Sequence, residues 1–225
     1  MNPCTIPTEV IDNDGDNRWI SIHKRFLSET REKDPEIIFI GDCILQALEH
    51  TEMWNKFFAP LHCLNFSIHS DLTQNVLWRL ENGELDHVEP KAIVLHVGNN
   101  NVKDTPENIA EGILEIVKVI RNKLPNAYIV LPTLLPRGQF PNKLRELNDQ
   151  VNSLVKTAVT DMELVQTVPI HHGFVRNDGS ISHHDMHDYL LLTNSASMKA
   201  FEPVYELLTQ IINEQEPERD LTPSE

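Results

Sequence analysis

Short apolar runs alternate with amphipathic segments along the middle of this chain, and few folds accommodate that order. Residues 36–42 (EIIFIGD), 63–68 (CLNFSI), 92–98 (AIVLHVG), 127–133 (AYIVLPT) and 162–167 (MELVQT) are apolar and β-branched enough to be buried strands. Helical spacing fills the gaps: Trp19, Ile22, Phe26 and Leu27 precede the first strand, and Leu72, Val76, Leu77 and Leu80 follow the second. After the third strand come Ile109, Ile113, Ile116, Val117 and Ile120, introduced by Asp104, Thr105 and Pro106 as a cap and first turn. Phe201, Val204, Leu208, Ile211 and Ile212 form a last stripe. Such alternation predicts right-handed crossovers, a parallel sheet of about five strands and helices on both faces. Chemistry in that architecture belongs to the loops leaving the carboxyl ends of the strands.

The 225 residues suit one domain spanning 18–213, flanked by a polar, acidic arm (1–17) and a tail (214–225), both expected to be flexible. Nineteen basic residues against 34 acidic leave a net charge of −15, which repels phosphate backbones and excludes nucleic acid as the natural partner. No segment approaches the roughly 18 unbroken apolar residues of a membrane span, and the first residues lack the basic and apolar regions of a signal peptide. Cys4, Cys43 and Cys63 are widely spaced, without a CxxC pair, so neither a disulfide framework nor structural zinc is indicated. A cytoplasmic protein fits these features.

The first strand-end loop is Gly41-Asp42-Cys43, ahead of the apolar helix ILQAL. A cysteine there is either a nucleophile helped by the helix dipole, a redox-sensitive thiol, or a small packed hydrophobe. The second loop is Ser67 to Thr73, and the third is Gly98 to Asn101, where an asparagine can aim an N–H at a developing oxyanion or simply make a turn. Residues 171–193 hold five of the eleven histidines, but their adjacent pairs lack metal-ligand spacing, and no metal is expected.

Together these loops resemble the blocks of the GDSL/SGNH hydrolases: GD before a nucleophile position, NF-x-I-xx-D, VG-x-NN, and D-xxx-LT. Longer stretches, among them IFIGD, VLWRLENGEL and LLPRG, are similar to the alpha catalytic subunits of intracellular platelet-activating factor acetylhydrolase, type I, over about residues 17–212. The resemblance implies a flavodoxin-like three-layer α/β sandwich and no cofactor. It implies a homodimer or a dimer with a related alpha subunit, and association with a WD-repeat dynein-regulating protein. The family reaction removes an acetyl ester from an ether phospholipid.

Position by position, the resemblance also exposes departures. Cys43 stands where the family has its nucleophilic serine, and Leu191 where it has the basic histidine, with Asp188 kept three residues earlier. Ser70 replaces an oxyanion-hole glycine after His69, and Asn100 is kept, so Cys43, Ser70 and Asn100 remain as an oxyanion-hole remnant. Leucine neither accepts the nucleophile's proton nor returns one to the leaving group. The sequence therefore predicts a pseudoenzyme whose vestigial cleft still accommodates a lipid or ester. The alternative is an active esterase on short-acyl phospholipids with a rewired Cys43 nucleophile, for which His69 is the substitute base. His96, inside a strand, and His187 are expected to point away from the cleft, and His184 to be structural.

Overall fold

The computed structural model of the protein describes residues 1–215. The first apolar run forms β1 (Ile37–Gly41), buried at every position because helices cover both faces of a parallel sheet. β2 (Cys63–Ser67), β3 (Ala92–His96), β4 (Tyr128–Pro132) and β5 (Val165–Val168) join it in the order β2-β1-β3-β4-β5, every neighbouring pair parallel. The five runs expected from the sequence are thus the five strands. The last begins later than its apolar pattern suggested, since Leu164 is left-handed (φ 56°) and interrupts the extended chain.

Alternate strand residues feed two cores, as the two-residue period of a strand requires. Ile38 and Ile40 enter one with Phe26, Val76, Ile113 and Val151, carried by α1 (Arg18–Glu32), α3 (Thr73–Arg79), α4 (Pro106–Lys123) and α5 (Lys143–Val159). Ile37 and Phe39 enter the other with residues of α2 (Cys43–Leu48) and α6 (Asn194–Gln215). The Thr105 hydroxyl accepts from the Asn108 N–H and Pro106 opens α4, as the cap signal predicted. α5 had no sequence-based expectation. Its buried face mixes Val151, Val155 and Val159 with Arg145 and Asn148, which obscures the apolar period.

The arm expected over residues 1–17 is corrected in its first eight. Cys4 is fully buried, the Thr73 hydroxyl donates to its carbonyl at 3.1 Å, and Thr8 donates its N–H to the Gln74 carbonyl at 3.0 Å. Gly112 makes the contact possible, because a Cβ there would come within 2.8 Å of the Cys4 carbonyl oxygen. Beyond Gln215 the expected tail lies outside the described residues. No helix among the described residues is long and apolar enough to cross a membrane.

The strand order reverses between β1 and β3, which opens a crevice at their carboxyl ends. Gly41 pairs there with Ser67 on one side and His96 on the other. A side chain at 41 would meet the His96 carbonyl at 2.0 Å, so glycine is required where β1 hands over to the first loop.

Candidate active site

The first loop is held by its own aspartate. Asp42 caps α2 by accepting the Ile44 N–H at 3.1 Å, and Cys43 opens the helix with only 1% of its surface exposed. Burial pushes the Cys43 thiol up to about 12, the charges of Asp42 and Asp188 push the same way, and Arg137 opposes them. The expected benefit of a helix N-terminus for a thiolate is overridden by desolvation and an acidic neighbour. The same burial argues against an accessible redox thiol here.

His69 is exposed, and no hydrogen bond joins it to Cys43 among the described residues. Its backbone carbonyl instead accepts from Asn100 Nδ2 at 2.9 Å, and the Asp71 carbonyl accepts from the same nitrogen at 3.0 Å. Both carboxamide hydrogens of Asn100 are thereby committed to the second loop in this conformation. Ser70 is exposed between these anchors.

Asp188 places Oδ1 2.7 Å from the Leu191 backbone nitrogen and 3.0 Å from that of Leu190. The carboxylate closes a local turn, and Leu191 packs half-buried against the core that contains Cys43. Tyr189, between them, is left-handed at φ 60°. His96 departs from expectation: its ring lies on the side of Asp42, Nδ1 3.5 Å from Oδ1, both side chains fully buried. His187 is exposed, with Nε2 4.0 Å from Asp188 Oδ2. His184 is exposed as well: its ring lies 4.1 Å from that of His183, and its carbonyl accepts the Thr193 hydroxyl at 2.8 Å. Among the described residues no three of His, Cys, Asp and Glu gather as metal ligands.

Two groups that sequence reasoning left without a role shape the site. Arg79, fully buried, donates to Asp71 at 2.8 Å, to Glu84, and to the Phe66 carbonyl at 3.0 Å. Trp19 Nε1 donates to Asp71 at 2.7 Å, and His23 Nδ1 lies 2.8 Å from Glu84. This network pins the second loop to α1. Even beside Arg79, burial pushes Asp71 up to about 6. The second group is Arg137, which donates to the Asn99 carbonyl at 2.7 Å, while Gly138 donates its N–H to the Tyr189 carbonyl at 2.8 Å. The VLWRLENGEL and LLPRG blocks contain both arginines, so the signal was present, but the contacts were not. A separate groove over the ends of β4 and β5, lined by Thr133, Asp149, Lys156, His171 and His172, includes none of Cys43, Ser70, Asn100, Asp188 and Leu191.

The strand order defines a doubly wound α/β fold, with the candidate residues on loops at the carboxyl ends of its strands. Residues 39–196 match the profile of the GDSL-like Lipase/Acylhydrolase family, and the chain belongs to that family. Within it, close homologues are platelet-activating factor acetylhydrolase IB subunits. The beta homolog of Drosophila melanogaster is 62% identical over 225 residues, covering 100% of both chains. The human alpha1 subunit is 46% identical over 211 residues, covering 94% of this chain and 91% of its own. The fold is shared with a GDSL-like lipase of Bacteroides thetaiotaomicron at TM-score 0.68 and 15% identity, covering 85% of this chain and 97% of the other.

Proposed function

We propose that this chain is a catalytically inactive member of the acylhydrolase family that works as a dimeric binding partner of a WD-repeat dynein-regulating protein in the cytoplasm. The observation that carries the reading is the pair at the reacting positions: a buried Cys43 with its thiol raised to about 12, and Leu191 where a base would stand. A serine-type mechanism needs a group that removes the nucleophile's proton and returns it to the leaving alcohol. Leu191 has no lone pair for either step, and His69 makes no bond to Cys43. The scaffold around these positions is intact: Asp42 caps α2, Asn100 ties the second loop, and the Asp71–Arg79–Glu84 network is complete. The similarity to acetylhydrolase IB subunits supports subunit association, and the retained blocks around Cys43 and Leu191 favour a partner role over chemistry.

The test combines hydrolysis of a short-chain acyl ester and of platelet-activating factor with capture of the WD-repeat protein. No turnover and recovery of the partner with a dimer in solution are expected. Turnover that disappears in Cys43→Ala, with an acyl adduct on Cys43, would establish the esterase instead. Capture no better than background would sink the partner role.

A further inference from the structure

α4 carries a second row of side chains besides the one that enters the core. Ile109, Ile113, Ile116 and Ile120 are buried, whereas Glu111, Leu114, Glu115, Lys118 and Arg121 line a groove of about 980 Å³ at the amino end of β5. The row recurs every three or four residues from 111 to 121, so it follows one face of α4 for about 15 Å. Met162, Glu163 and Val165 line the groove from the other side, together with Thr5 of the docked N-terminal segment. Arg121 braces the two walls. Its guanidinium donates to the Glu163 and Leu164 carbonyls at 3.3 and 3.2 Å, and to those of Pro125 and Ala127 at 2.8 and 2.9 Å.

Apolar surface lies open inside this frame. Met162 is 42% exposed, Leu164 beside it 41%, and Leu114 is half-buried. Apolar surface framed by charged residues marks an interaction site, and an unbranched methionine adapts to the shape of what covers it. The charges then select the kind of partner. Lys118 is paired with Glu115 at 3.1 Å and the Arg121 hydrogens are spent on carbonyls. Glu111 accepts only the neutral Asn2 amide at 2.9 Å, and neither Glu111 nor Glu163 has a cation within 4.0 Å among the described residues. With a net charge of −15 behind them, these carboxylates repel anionic lipid and nucleic acid and attract a cationic segment.

We propose that this groove is a docking site for a basic amphipathic helix of another protein, whose apolar stripe covers Leu114, Met162 and Val165 while its lysines or arginines meet Glu111 and Glu163. A helix laid in an apolar groove anchors through residues at i, i+3, i+4 and i+7, the spacing that the facing row of α4 presents. Val165 opens β5, whereas Cys43 follows the carboxyl end of β1 in the same parallel sheet. The site therefore lies at the other end of the strands from the reacting positions and stands independently of whether the chain hydrolyses esters.

The experiment titrates the full chain with a synthetic leucine–lysine amphipathic peptide of about five helical turns. Binding is followed by peptide fluorescence anisotropy and by backbone amide shifts, in about 0.15 M salt to screen diffuse attraction. The comparison peptides are a scramble of the same composition and a leucine–glutamate version. Saturable binding of the first peptide alone, moving the amides of Leu114, Met162 and Val165, is expected. Met162→Glu separates the two contributions, because it adds an anion while removing apolar surface. Affinity should fall about tenfold or more in that variant and about two- to fivefold in Glu163→Gln. Unchanged or tighter binding in Met162→Glu, or shifts confined to other surfaces, would overturn the proposal. Should Met162→Glu fail to fold, the native chain makes the same comparison, and equal binding of the scramble overturns it. Binding of anionic vesicles in place of the peptide would likewise sink it. If the same amides shift on self-association without peptide, the face belongs to a second copy of the chain and the proposal falls.

Discussion

Asp188 Oδ1 lies 2.7 Å from the backbone nitrogen of Leu191. In the family's arrangement the aspartate and the residue three positions later cooperate through side chains. Here the Asp188 carboxylate holds the backbone of Leu191. Asp188 therefore has a structural duty of its own, closing the turn at Leu190 and Leu191. Asp188→Ala is expected to cost about 1 kcal/mol in urea unfolding and to speed amide exchange at Leu190 and Leu191. Unchanged exchange at these two amides would show that the turn holds without it.

Restoring both reacting groups should restore slow chemistry. Cys43→Ser with Leu191→His returns an alcohol and a base to a frame whose α2 cap and loop anchors are intact. Members of a catalytic unit are not additive, so each single substitution should stay near background while the pair rises by about tenfold or more. An assay with a short-chain acyl ester checks this. Silence of the pair would mean that the Asn100 hydrogens, committed to the carbonyls of His69 and Asp71, are not released to a developing oxyanion.

The buried network under the second loop makes a stability prediction with a pH signature. It holds two carboxylates, Asp71 and Glu84, against the single guanidinium of Arg79. Removing that cation in Arg79→Met strands both acids and should cost about 3–5 kcal/mol. Asp71 is raised from its usual 3.8 to about 6, so the folded state keeps a proton that the unfolded chain releases between these values. Its contribution to stability is full below pH 3.8 and is lost as pH rises through about 6. In Asp71→Asn that part of the fall should vanish, as urea midpoints measured at intervals from pH 4 to 7 will show.

Burial also governs the cysteines. Cys4 is raised to about 11 and Cys43 to about 12, and Cys63 is raised as well, each mainly by desolvation. Iodoacetamide at pH 8 should leave Cys4 and Cys43 unmodified in the native chain and label them in denaturant, read by peptide mass. Rapid native labelling at Cys43 would mean that the first loop opens far more readily than its packing suggests.

The sheet and its switch point were legible because a parallel strand buried on both faces is written as a continuous apolar run. Once EIIFI and AIVLH are paired, Gly41 and His96 must meet at the strand ends. Helix α5 was not legible, since Arg145 and Asn148 occupy its buried face and satisfy carbonyls that no local pattern reveals. The identities at 43, 188 and 191 were readable from the family blocks. The burial of Cys43, the anchoring bonds of Asn100 and the orientation of His96 were not, because each depends on groups brought in from distant segments. Arg79 shows the same limit: its partners Asp71 and Glu84 are close in sequence, but Trp19 and His23, which complete the network, come from another helix.

The docked N-terminal segment sets an order of events during synthesis. Cys4 meets Thr73, Asn101 and Gly112, so this segment cannot reach its site until about a hundred further residues have been made. Contacts so distant along the chain close late, after the sheet and α4 have formed a surface to receive them. The segment around Cys4 is thus among the last parts to fold, and its docking requires that α3, the third loop and α4 already be in place.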